Sequence, residues 1–250
     1  MPIGDPAPSF VEPVLGVVFD LDGTLVLSGH DYPRMRRTVI ELAERYGVPR
    51  GRLSADDPIF RSVERAREEL RDVGAADAAI FRFEVEYPRA IDAIEMEALP
   101  RTRPRPGAAP LLAGLSDRGF RLGILTRSSE HFARAALERT GLAPYFPYLR
   151  SRSAPGPAKP SPEALLLLLR EMGIPVDRAL YVGDHLLDAE CARGARVRFM
   201  GVLPDAAEAS GGAETAERFR SAGASAVAAD LPDLARRLVP EPSPAAPNPP

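Results

Sequence analysis

The stretch Val14-Leu15-Gly16-Val17-Val18-Phe19-Asp20-Leu21-Asp22-Gly23-Thr24 decides the reading of this chain. Val14 to Phe19 is apolar throughout, the pattern of a strand buried on both faces of a parallel sheet. The run stops at Asp20, a second Asp follows two positions later, and Gly23 can take the positive φ that a turn there needs. An isolated pair of this kind is commonly a turn or a helix cap. Here it stands at the carboxyl end of a buried strand, where α/β sheets bind ligands. Similar apolar runs recur at Leu122 to Thr126, Ala179 to Gly183 and Val197 to Val202, with a weaker one at Ala224 to Ala228, and helical patterns lie between them. That alternation predicts an α/β fold, a doubly wound parallel sheet.

The interval between the first two strands breaks the rhythm. Residues 28–100 read as helical throughout. Met35, Val39, Leu42 and Tyr46 form one apolar stripe that stops at Gly47. Ile59, Val63, Ala66 and Leu70 form a second that stops at Gly74, and a third runs from Asp77 to Leu99. These stripes are read as helix packing, so the segment is an all-helical domain inserted after the first strand. The core then comprises residues 14–27 and 101–239, and the link Arg101-Thr102-Arg103-Pro104-Arg105-Pro106 reads as a solvated hinge, with anion contact as the second reading. Residues 1–13 and 240–250, crowded with Pro, read as disordered tails.

Composition narrows the function. The 250 residues carry a formal net charge of −3, and no strongly basic face suggests nucleic acid as a partner. The single Cys191 excludes an internal disulfide, and no Cys/His spacing suggests zinc. The N-terminus lacks the pattern of a secretory signal, and the longest aliphatic run, Leu165 to Leu169, is far too short to span a membrane. A cytoplasmic protein is expected, of no stated oligomeric state. Among 32 basic residues there is a single Lys, Lys159.

A second acidic group, Gly183-Asp184-His185-Leu186-Leu187-Asp188, also follows a buried strand directly. Two such clusters at equivalent strand ends suggest one shared site. Asp20, Asp22, Asp184 and Asp188 would repel one another unless a cation joined them, and all-oxygen ligation points to a hard ion, with Mg²⁺ suited to a site that receives phosphate. Lys159-Pro160 precedes Ser161-Pro162-Glu163, a helix start with Ser161 as N-cap and Pro162 at the first helical position. An ammonium beside a helix N-terminus favours an anion.

Together these residues resemble the haloacid dehalogenase superfamily, over about Val14 to Val227. Asp20-Leu21-Asp22-Gly23-Thr24 resembles its first motif, Leu125-Thr126 the second, Lys159-Pro160 the third, and Gly183-Asp184 with Asp188 the fourth. The helical insert matches the cap of the subgroup containing phosphoglycolate phosphatases and β-phosphoglucomutases. The resemblance implies a Rossmann-like core and Mg²⁺-dependent hydrolysis of a small phosphorylated metabolite through an aspartyl-phosphate. It makes Asp20 the nucleophile, Asp22 the acid and base, and Thr126 a donor to the phosphoryl oxygens. By the same resemblance Lys159 would neutralise charge, and Asp20, Asp184 and the Asp22 carbonyl would hold the metal. Asp188 ligates through water or orients Lys159, and the cap closes over the substrate. Arg127, His185 and Leu27 depart from the commoner pattern. Arg127 reads as an anion contact or an outward-facing side chain and His185 as a residue beside the site. His30 is a weak substrate-contact candidate, and His131 reads as structural. Two other functions remain open, a sugar-phosphate mutase sharing all four motifs and a catalytically silent phosphometabolite-binding protein. A dehalogenase lacks the second Asp, and phosphonate cleavage through a cap Schiff base needs a Lys that the insert does not have.

Overall fold

A computed structural model describes residues 13–204 and 211–239. Apart from Pro13, both expected tails lie outside the described residues. The chain divides into two compact units, one holding the residues up to Leu27 and from Thr102 onward, the other Ser28–Arg101. In chain order the first unit contains β1 (Gly16–Phe19) and β2 (Val26–Leu27). After the helical unit, with α1 (Tyr32–Arg45), α2 (Ile59–Asp72) and α3 (Asp77–Ala98), come β3 (Arg103–Pro104), α4 (Ala108–Asp117), β4 (Arg121–Leu125) and α5 (Glu130–Arg139). The rest of the first unit is β5 (Tyr148–Arg150), α6 (Pro162–Met172), β6 (Ala179–Gly183), α7 (Leu186–Ala195), β7 (Arg198–Val202), α8 (Gly212–Ser221), β8 (Ala226–Ala228) and α9 (Leu231–Leu238).

Six strands form one parallel sheet in the order β5-β4-β1-β6-β7-β8. This is the doubly wound α/β fold expected of the apolar runs. Successive residues of each central strand feed opposite faces. Val17, Phe19, Ile124 and Val182 pack with α4, α5 and α9, whereas Val18, Leu125 and Tyr181 pack with α6, α7 and α8. Both faces are covered, which is why these strands are apolar along most of their length. The strand order reverses beside β1, whose neighbours are β4 and β6. Phe19 pairs with Ile124 on one side and Val182 on the other, so the carboxyl ends of three strands lie next to one another. The fold thereby creates a crevice where sequence places Asp20, Thr126 and Asp184.

The sequence reading missed β5, whose edge position relieves it of a continuous apolar run; Tyr148 and Leu149 are only half-buried. It also missed the ribbon in which β2 pairs antiparallel with β3. The link through residues 101–106 is not uniformly solvated as expected. Arg103 and Pro104 are exposed, but Thr102 and Arg105 are buried, at 3 % and 2 %.

Within the helical unit, the three predicted stripes form one cluster built on Met35, Val39, Leu42, Val63, Ala66, Leu70, Phe83, Ile91 and Ile94. Asp31 caps α1 by accepting the Arg34 N–H at 2.9 Å. Arg67 grips Glu84 with two hydrogen bonds of 2.6 and 2.8 Å and joins α2 to α3. The stripes therefore serve packing. Among the described residues no helix is long and apolar enough to cross a membrane.

Candidate active site

Asp20 is the first residue after β1, and its N–H still donates to the Val182 carbonyl at 2.9 Å, so the ladder fixes its backbone. Its side chain is nearly buried and Oδ1 accepts from Lys159 Nζ at 2.5 Å. The same ammonium donates to Asp188 Oδ1 at 2.7 Å, at 4 % exposure for Lys159 and 0 % for Asp188. Burial would lower the Lys159 pKa, but Asp188 and Asp20 outweigh it and raise it, so the side chain stays an ammonium.

Asp188 is satisfied on both oxygens. Oδ1 also accepts from the Tyr181 hydroxyl at 2.7 Å, and Oδ2 accepts the His185 N–H at 3.1 Å. The second contact is half of a capping box, the other half being the His185 ring, whose Nδ1 accepts the Leu187 N–H at 3.1 Å. His185 is thus an exposed helix cap. Gly183 carries no Cβ because one would lie 2.4 Å from Asp188 Oδ2.

Asp184 follows β6 and accepts from the Thr24 hydroxyl at 2.5 Å. Oxygens of Asp20, Asp184 and Asp188 all fall within 4.8 Å of one another, the one such group among the described residues; the Asp22 carboxylate is not in it. Burial, then the Asp188 charge, pushes Asp184 up to about 7, with Asp22 adding to the effect and Thr24 opposing it. Burial also holds Asp20 well above the usual carboxylate range, against the pull of Lys159. Three crowded carboxylates with one ammonium lack positive charge. An all-carboxylate donor set of this kind fits a hard divalent cation such as Mg²⁺ and suits no soft metal.

Gly23 makes this proximity possible. Its φ is +86°, and a Cβ there would stand 2.3 Å from Asp184 Oδ2. Gly23→Ala therefore carries both the left-handed penalty, about 1–2 kcal/mol, and a displaced Asp184. A Tm lower by roughly 2–8 °C is expected for a chain of this size. Any gain in Tm on adding Mg²⁺ should shrink too, and melts with and without Mg²⁺ check both; an undiminished gain speaks against Asp184 as part of a cation site.

Thr126 follows β4 at 2 % exposure, its hydroxyl oxygen accepting the Ser128 N–H at 3.1 Å, which leaves its own proton to donate. Arg127 turns back to donate to the Lys159 carbonyl at 2.6 Å, and Arg152 donates to the Arg127 carbonyl at 3.0 Å. Arg127 thus holds the loop carrying Lys159. Ser161 occupies the N-cap of α6 as expected, but its hydroxyl goes to Glu163 instead of to a backbone N–H. His30 belongs to the helical unit, edge-on to Tyr32 at 5.7 Å, Leu27 lies in β2, and His131 is exposed on α5.

Sequence reasoning gave no role to Tyr181, Thr24 or Arg105. Tyr181 left one trace: it is the only side chain with a polar tip in Ala179–Gly183.

The family model for haloacid dehalogenase-like hydrolases matches residues 14–196. The phosphoglycolate phosphatase of Rhodospirillum rubrum is 33 % identical over 195 residues, covering 72 % of this chain and 76 % of that protein. The N-acetylmuramic acid 6-phosphate phosphatase of Pseudomonas aeruginosa is 29 % identical over 181 residues, covering 72 % and 77 %. A crystal structure of a haloacid dehalogenase-like hydrolase from Bacteroides fragilis superposes with a TM-score of 0.61 at 26 % identity, covering 88 % of this chain and 99 % of that one.

Proposed function

This chain belongs to the haloacid dehalogenase-like hydrolase family, and on that premise we propose that it is a phosphatase that hydrolyses a small phosphate monoester through a phosphorylated Asp20. The observation that carries the reading is the buried ammonium of Lys159 bridging Asp20 and Asp188 at the crevice beside β1. Lys159 holds Asp20 Oδ1, so Oδ2 is the attacking atom. It forms a bond to phosphorus as the bond from phosphorus to the ester oxygen breaks, and the departing oxygen takes a proton from the Asp22 carboxyl. Asp22 then takes a proton from water, whose oxygen bonds to phosphorus. The bond to Asp20 breaks, leaving inorganic phosphate, the Asp20 carboxylate and the reprotonated Asp22 carboxyl.

The Thr126 hydroxyl and Lys159 donate to the phosphoryl oxygens, where negative charge is concentrated. Asp188 orients Lys159, since both its oxygens are committed to protein donors. Asp20, Asp184 and the backbone carbonyl of Asp22 would hold Mg²⁺, which when bound would supply the positive charge that lets an anionic substrate approach crowded carboxylates. The relatives named above are phosphatases by name, which favours hydrolysis over the mutase reaction. Their names also make phosphorylated organic acids and sugars the substrates to test first.

Phosphate release from 4-nitrophenyl phosphate, followed by a panel of phosphometabolites, tests the reading. Activity that survives EDTA contradicts it, as does binding of phosphometabolites without turnover. The raised carboxylates add a pH signature. Protonated Asp184 cannot ligate, so Mg²⁺ displaces a proton below a pH of about 7. Affinity should fall about tenfold per pH unit below that point and level off above it. A carboxyl whose folded pKa is raised destabilises the metal-free protein increasingly as pH rises from its unfolded value toward the folded one. The gain in Tm on adding Mg²⁺ is therefore larger at pH 8 than at pH 6. Calorimetric affinities that do not change between pH 6 and 8 contradict Asp184 as a ligand.

A further inference from the structure

Arg105 lies in the link that returns the chain to the sheet, and it is a cation at 2 % exposure. A guanidinium is buried only where its donors are met, so its partners indicate its purpose. Its N–H donates to the Leu25 carbonyl at 2.9 Å, its Nη1 to the Gly23 carbonyl at 2.9 Å, and its Nη2 to the Leu203 carbonyl just after β7. One side chain ties the turn after β1 to the far half of the sheet.

That turn carries the chemistry. Gly23 stands between Asp22 and Thr24, and the Thr24 hydroxyl rests on Asp184. The Gly23 N–H donates to the Val26 carbonyl at 2.8 Å, and its Cβ-less face lies against Asp184. The third hold, on the Gly23 carbonyl, comes from Arg105, eighty-two residues away. The same link pairs with the segment after the turn, Val26 opposite Pro104 and Leu27 opposite Arg103, so ribbon and turn are fastened as one piece.

We infer that Arg105 is a positioning residue for Asp22: by fixing the peptide plane between Gly23 and Thr24, it fixes the turn from which the acid and base works. The inference rests on the proposed role of Asp22. Arg105 touches no reacting atom. A planar fork reaches two diverging carbonyls at once, whereas a lysine ammonium is a point charge on a flexible stem and holds one of them.

The test compares kcat/KM for full-length Arg105→Met, Arg105→Lys and Asp22→Asn on two substrates. 4-Nitrophenyl phosphate has a leaving group that needs little protonation, and glycerol phosphate has one that needs much. Asp22→Asn should lose far more on glycerol phosphate than on the aryl ester. Arg105→Met should show the same bias, about tenfold, a part of the factor of about 10²–10⁴ that a general acid contributes. Arg105→Lys should fall between Arg105→Met and the unsubstituted chain. Equal losses on both esters in Arg105→Met, beside a biased Asp22→Asn, overturn the inference and leave the role of Asp22 standing. An unbiased Asp22→Asn instead overturns the role of Asp22 and the inference with it. Should Arg105→Met fail to fold, Arg105→Lys decides: a bias supports the inference, and equal or absent losses overturn it.

Discussion

Lys159→Arg is expected to lower kcat at least about 10³-fold, near the upper end of what one preorganised donor contributes to a developing charge. The substitution keeps the positive charge and changes the shape. Nζ sits 2.5 Å from Asp20 and 2.7 Å from Asp188, with the Tyr181 ring beneath it at 5.9 Å. A guanidinium is longer and flat, so it must push Asp20 or Asp188 aside or leave one of them unbonded. Overpacking of this kind costs about 1–3 kcal/mol. Since about 1 kcal/mol moves Tm by roughly 2–4 °C at this size, the variant should still fold at ordinary temperatures. Lys159→Met provides the contrast. It removes the charge and leaves two buried carboxylates facing each other, a cost of about 3–5 kcal/mol at neutral pH. Lowering the pH protonates Asp20, which burial already holds well above the usual carboxylate range, so the stability lost in Lys159→Met should return in part at pH 5, while that lost in Lys159→Arg should not. Activity close to that of the unsubstituted chain in Lys159→Arg would remove Lys159 from the proposed chemistry.

The features legible in the sequence are those whose physical cause is local or repetitive. β1, β4, β6 and β7 are buried on both faces and so are written as apolar runs, and the three helices of the insert carry stripes at helical spacing. Asp20 and Asp184 were visible because each follows such a run directly. Lys159 stood out because no other lysine competes with it among the basic residues. The features that escaped depend on tertiary contact. Tyr181 looks like one more strand residue until α7 brings Asp188 back over β6. Arg105 is one arginine among many, and nothing beside it in sequence reports that Gly23 and Leu203 converge on it. The α6 N-cap shows the middle case, in which Ser161 marks the boundary correctly but Glu163 takes its hydroxyl.

Asp20→Asn should have the largest effect of any single substitution, a loss in kcat of more than about 10⁴-fold, since removing the nucleophile of a covalent mechanism leaves only binding and charge stabilisation. The amide keeps the shape of the side chain, and its carbonyl can still accept from Lys159, so the backbone and the bridge to Asp188 should persist. What disappears is the charge on the attacking oxygen. Removing it also relieves a site in which burial and the charges of Asp188 and Asp184 hold Asp20 well above the usual carboxylate range. The metal-free variant is therefore expected to melt no lower than the unsubstituted chain, and its gain in Tm on adding Mg²⁺ should shrink because one of three carboxylates no longer draws the cation. The covalent step has its own readout. Asp22→Asn slows attack by water more than transfer from an aryl ester, so phosphorylated protein should accumulate in it on acid quench and be absent from the Asp20→Asn/Asp22→Asn pair. Residual activity of Asp20→Asn near a hundredth of the unsubstituted chain, well above the limit of about 10⁻⁴ set here, would mean that water attacks phosphorus directly. Phosphate retained by the double variant would place the nucleophile elsewhere.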